Sequence, residues 1–74
     1  MKFKVEVSYK PGVEDPEALT LLKNLNILGY HEISNVSISK VYYFDAGNEE
    51  EVKQVADKIL SNPVIHSYKV EKLG

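Results

Sequence analysis

Residues 2–10 read KFKVEVSYK, and their side chains alternate without a break. Phe3, Val5, Val7 and Tyr9 fall on one side, and Lys2, Lys4, Glu6, Ser8 and Lys10 fall on the other. A period of two is that of a β-strand with one buried and one wet face. This stretch constrains the fold most, because it requires a sheet with one face left to water. Pro11-Gly12 then turns the chain, proline presetting φ and glycine accepting a positive value.

Two helices follow from their end signals. Asp15 serves as N-cap of the first, with Pro16 at the first helical position, where a missing N–H costs nothing. Ala18, Leu21, Leu22, Leu25 and Leu28 recur at helical spacing, and Gly29 stands where a left-handed residue closes the helix. Asn48 caps the second helix, and Glu51, three residues on, has the spacing of a capping box. Val52, Val55, Ala56, Ile59 and Leu60 form its apolar stripe. Asn62-Pro63 ends it, because the residue before a proline avoids the α region.

Between the helices, HEISNVSISKVYYFDAG is read as a short strand at residues 32–34, a turn at Asn35 and a long strand over residues 36–46. Val36 and Ile38 alternate with polar residues, but VYYF, from Val41 to Phe44, is apolar on both sides. A strand that changes from one-sided to two-sided burial meets a cover beyond its own helices, and a second subunit is the simplest one. Residues 64–73 form the last strand. The order β-α-β(β)-α-β with short connections predicts one α+β domain spanning residues 1–74. In it a small antiparallel sheet carries both helices on one face, ferredoxin-like or a close relative.

Size adds a second constraint. A 74-residue chain buries only about 60% of its unfolded surface, and small domains compensate with disulfides, a metal or oligomerisation. The chain has no cysteine and two histidines, which leaves self-association. The net charge is −2 and every basic residue is a lysine. Without arginine for bidentate phosphate and guanine contacts, nucleic-acid binding is not expected. No run reaches the length of a membrane span, and the amino-terminal stretch lacks the apolar core of a signal peptide, so cytoplasmic residence is expected.

Catalytic patterns are absent. His31 lies in a polar loop after a helix end, and His66 shares a strand face with Val64, Tyr68 and Val70. Ser61 and Ser67 lie near His66 but in no nucleophile-elbow context. Glu49, Glu50 and Glu51 point in three directions from a helix and complement its dipole. Gly12, Gly29, Gly47 and Gly74 are isolated, so no phosphate loop exists. Lys40 sits mid-strand on the face of Ile38 and Tyr42, either snorkelling to water or meeting a partner's carboxylate or phosphate. Tyr42, Tyr43 and Tyr68 serve either in the core or at an interface, having an apolar body and a polar tip. The chain lacks the arginine cradle of an acylphosphatase, the CxxC of a metallochaperone and the aromatic-basic strand motif of an RNA-recognition module. A protein–protein module or a small-molecule regulatory domain remains.

Several segments together resemble the PurS family: Val13-Glu14-Asp15-Pro16, the helix end Leu28-Gly29-Tyr30, Lys40 in the long strand, and Leu60-Ser61-Asn62-Pro63-Val64-Ile65 with Tyr68. PurS is the small subunit of phosphoribosylformylglycinamidine synthase in purine biosynthesis. The resemblance spans nearly the whole chain and rests on Asp15, Pro16, Gly29, Asn62, Pro63, Val64 and Ile65 as scaffold positions. It implies a non-catalytic subunit that forms dimers or tetramers through its strands. Such a subunit holds an ATP-dependent, PurL-like synthetase together with a PurQ-like glutaminase and supports ammonia transfer between them. ATP and Mg would then be held by the synthetase, and this chain would bind no cofactor or metal. Lys40, Tyr42, Tyr43 and Tyr68 are the expected partner or oligomer contacts. The chain departs from the family's usual pattern at Ala18, Ser37, Ser39, His66 and Ser67. The alternative is a free-standing ferredoxin-like domain that binds a small ligand at a dimer interface.

Overall fold

One strand, β1 (Lys2–Tyr9), is paired along both of its edges in the computed structural model, which describes residues 1–74. β2 (Ser39–Asp45) and β3 (His66–Lys72) flank it, both antiparallel, in the order β2-β1-β3. The helices are α1 (Pro16–Ile27) and α2 (Glu49–Val55), the second continued by a π-helical turn over Ala56–Leu60. The chain is α+β, with a three-stranded antiparallel sheet, as the alternation of β1 requires.

The register arranges the core face in rows of facing residues. Phe44, Phe3 and Lys72 form one row, Tyr42, Val5 and Val70 the next, and Lys40, Val7 and Tyr68 the third. Phe3, Val5 and Val7 are buried beneath Val52 and Ala56, with Tyr42, Phe44, Ala46, Leu60 and Val70 around them. The opposite face carries Tyr43, Lys4 and Glu71 in one row and Val41, Glu6 and Lys69 in another, with no helix over it. β1 thus has the wet face that its sequence predicts.

The local signals hold. Asp15 accepts from the N–H groups of Glu17 and Ala18 at 3.0 and 3.2 Å, and Pro16 opens α1. Asn48 accepts from Glu50 and Glu51 at 2.8 and 3.4 Å, although Glu51 makes no reciprocal bond to close the capping box. Gly29 has φ of +100° and Gly12 +83°, the latter in a turn closed by the Val13 N–H donating to the Lys10 carbonyl.

Four expectations are corrected. Residues 32–34 form no strand, and β2 starts at Ser39 rather than at residue 36. Val36 and Ile38 have the alternation of a strand but do not pair: β2's ladder on β1 stops where Ser39 faces Ser8, and the chain of β1 turns at Pro11-Gly12, where Val36 would fall. The last strand starts at His66, because Pro63, Val64 and Ile65 belong to the turn before it. Ile59 leaves the second helix's stripe and is exposed, because the wider π turn brings Val52, Ala56 and Leu60 into line instead.

The fourth correction concerns α1. Only Ala18 is buried on it, Leu22 and Leu25 are half-buried, and Ile27 and Leu28 at its end are 72% and 71% exposed. Its expected apolar stripe has little in this chain to pack on. The molecule measures 48 × 26 × 14 Å with a radius of gyration of 15.4 Å, against about 11 Å for a compact domain of this length. Its accessible surface is 5595 Å², where a monomer of 8.4 kDa exposes about 4,600 Å². The excess, about 1,000 Å², is comparable with the share one partner contributes to a standard protein–protein interface.

Candidate assembly surface

The sheet brings three of the four expected contact residues to one face. Lys40 and Tyr68 stand on either side of Val7, and Tyr42 is one row further along, opposite Val5. Each is placed by antiparallel pairing to β1, which puts directly opposed residues on the same side. Tyr42 lies under the edge of the core, stacked on Phe44 with ring centroids 6.4 Å apart. Lys40 and Tyr68 lie nearer the end of the face, where the cover by α2 runs out. Tyr43 is not with them: it is 64% exposed on the open face of the sheet, beside the exposed Val41. The two-sided apolar character of VYYF therefore resolves into two inward side chains and two on a face that this chain leaves bare.

A cleft of about 320 Å³ lies at the end of the core face, where Lys40, His66, Leu60, Asp15 and Glu17 converge. Asp15 is committed to capping α1. No polar or charged residue is buried, and no three histidine or carboxylate side chains stand close enough together to hold a metal ion. Glu49 pairs with Lys53 at 3.3 Å along α2, an exposed helical pair.

The scaffold positions of the carboxyl-terminal half are organised by Asn62. Its side chain accepts from the Val64 N–H at 3.0 Å, and its carbonyl accepts from the Ile65 and His66 N–H groups at 3.0 and 2.7 Å. Ile65 ties the turn to β1, its carbonyl accepting the Lys10 N–H at 2.9 Å. Val64 is exposed and takes no part in the sheet, contrary to the strand placement expected for it.

The reading of the sequence missed the bare end of α1 and the segment after it. Ile27, Leu28, Tyr30 and Ile33 are all exposed. A signal was present: Leu19, Leu21, Leu22, Leu25, Ile27 and Leu28 cover more of the helix circumference than the one stripe that a single sheet face can bury. Together with the open face around Tyr43 and the free edges of β2 and β3, this surface is suited to protein–protein contact. No helix is long and apolar enough to cross a membrane.

Comparison with known proteins places the whole chain in one family. Residues 2–74 match the sequence model of the PurS family, described as phosphoribosylformylglycinamidine (FGAM) synthase. The phosphoribosylformylglycinamidine synthase subunit PurS of Methanocaldococcus jannaschii is 39% identical, over 97% of this chain and 96% of that protein. The crystal structure of Bacillus subtilis PurS superposes with a TM-score of 0.86 at 32% identity, covering 95% of this chain and 94% of that one. A chain in the structure of PurLQS from Thermotoga maritima superposes with a TM-score of 0.71 at 28% identity, covering 97% and 95% of the two chains. With a match that runs along nearly its whole length in both sequence and fold, this chain belongs to the PurS family.

Proposed function

We propose that this chain is the small, non-catalytic assembly subunit of an FGAM synthase in de novo purine biosynthesis. It joins a PurL-like, ATP-dependent synthetase subunit to a PurQ-like glutaminase subunit, associates with further copies of itself, and supports transfer of ammonia between the two active sites. The observation that carries this reading is the match over residues 2–74 to the PurS family, to which the Thermotoga maritima PurLQS structure adds an assembled relative. The chain's own physics is in keeping with it. About 1,000 Å² of surface beyond that of a compact monomer, with large apolar side chains at α1, β2 and residues 28–33, suits a part whose work is contact.

In this reading ATP and Mg are bound by the synthetase, and this chain, in the cytoplasm, carries no cofactor. Lys40, Tyr42 and Tyr68 contact a partner from the core-face end of the sheet, and Tyr43 does so from the open face. The test is reconstitution. The purified chain is mixed with the synthetase and glutaminase subunits, with and without glutamine and Mg-ADP, and the mixture is resolved by size-exclusion chromatography with light scattering. A three-component complex is expected, with glutamine-dependent amidine formation that falls when this chain is left out. Separate elution under every condition would overturn the proposal.

A further inference from the structure

The connection from the π turn into β3 is tied by a hydrogen bond whose acceptor is a titratable side chain. The Asn62 N–H donates to Nδ1 of His66 at 2.9 Å, and the His66 N–H returns to the Asn62 carbonyl at 2.7 Å. These reciprocal bonds close the loop between the two residues. A ring nitrogen that accepts an N–H carries no proton, so the neutral imidazole here holds its proton on Nε2. Tyr9 steadies the ring from β1, edge-on, with centroids 4.8 Å apart and planes at 66°. The same turn is held by the Lys10 ammonium, which donates to the Pro63 carbonyl at 2.6 Å.

We propose that His66 is a proton-operated latch on this turn. A proton taken from solvent onto Nδ1 replaces the acceptor with a donor opposite the Asn62 N–H, which breaks that bond and frees residues 62–65 from the ring. The latch is closed while the imidazole is neutral. It opens when the ring takes up a second proton and becomes a cation, a change that is a mild one for histidine alone among ordinary side chains. The charged groups facing this corner are Lys10 from the end of β1, Asp15 and Glu17 from the start of α1, and Lys40 from β2. Two of these groups are cationic and two anionic. The bond from Asn62 is the hydrogen bond of the ring that protonation of Nδ1 removes. Opening loosens the entry to β3, two residues before Tyr68, while the pairing of β3 with β1 is untouched.

The experiment is NMR on the isolated chain. Ring nitrogen shifts of His66 report the tautomer, and the Asn62 amide is followed through the ring's titration, with exposed His31 as an internal control. His66→Asn places an amide oxygen near the position of Nδ1 and does not titrate. With the wild-type ring protonated, the Asn62 amide is expected to move upfield and to exchange about 3- to 10-fold faster than in His66→Asn at the same pH, the loss of one hydrogen bond. In the variant the amide should show no titration. A neutral ring protonated at Nδ1, or an Asn62 amide that does not respond as the ring titrates, would overturn the latch. Both are read on the wild-type chain, so the test survives a variant that fails to fold.

Discussion

Replacing Ile27 with lysine sets the isolated fold and the assembled one against each other in sign. Ile27 is the last residue of α1, is 72% exposed, and lies in a final turn that carries no basic residue. In a monomer, Ile27→Lys removes little burial and places a cation at the negative end of the helix dipole, a gain of about 0.3–1 kcal/mol. If a second copy covers this end, the variant loses most of the value of burying an isoleucine, about 1–2 kcal/mol per chain, and the cation opposes the cover as well. For 74 residues the unfolding entropy near the midpoint is about 155 cal/mol/K. The monomer therefore gains about 2–6 °C in Tm, whereas the assembly loses about 6–13 °C. The same entropy sets the concentration dependence. A tenfold dilution costs a dimer about 1.4 kcal/mol, half of it per chain, so Tm falls by about 4 °C per decade. The assay is thermal unfolding by circular dichroism over a hundredfold concentration range, with sedimentation velocity on the same samples. A midpoint independent of concentration would refute self-association. A concentration-dependent midpoint that rises in Ile27→Lys would refute the placement of α1 in the interface.

Three smaller perturbations follow from the same geometry. Asp15→Ala removes the acceptor of two amide groups at the start of α1 and should cost about 1 kcal/mol, read as a shifted urea midpoint with unchanged slope. Gly29→Ala forces a side chain into φ of +100° and should cost about 1–2 kcal/mol, although no neighbouring atom crowds the added methyl group; an unchanged midpoint would mean that the helix end rearranges. Tyr43→Ser, on the open face, should leave the stability of the isolated chain within about 0.5 kcal/mol while weakening binding to the synthetase subunit in a pull-down; unaltered capture would remove Tyr43 from the contact surface.

The parts of this fold that were legible in the sequence are those determined within a few residues. Asp15 and Pro16 start a helix because their backbone chemistry suits its first turn, and Gly29 ends it because the chain there needs a positive φ. The alternation of residues 2–10 announced a half-buried strand, since successive side chains on a strand must point to opposite faces. What depends on a partner was not legible. Val36 and Ile38 alternate as well as Val5 and Val7 do, yet they form no strand, because the ladder between β1 and β2 ends where Ser8 faces Ser39 and β1 itself ends one residue later. Periodicity told which residues of VYYF share a face, but only the register on β1 put Tyr42 beside the core and Tyr43 on the bare side. His66 was legible as a histidine among apolar neighbours. That its Nδ1 closes a turn on Asn62 depends on the tertiary path of residues 61–66, which no spacing rule contains. The apolar coating of α1 was written in the chain, but what covers it was not, because hydrophobic burial has no direction and the sequence names the surface to be hidden without naming what hides it.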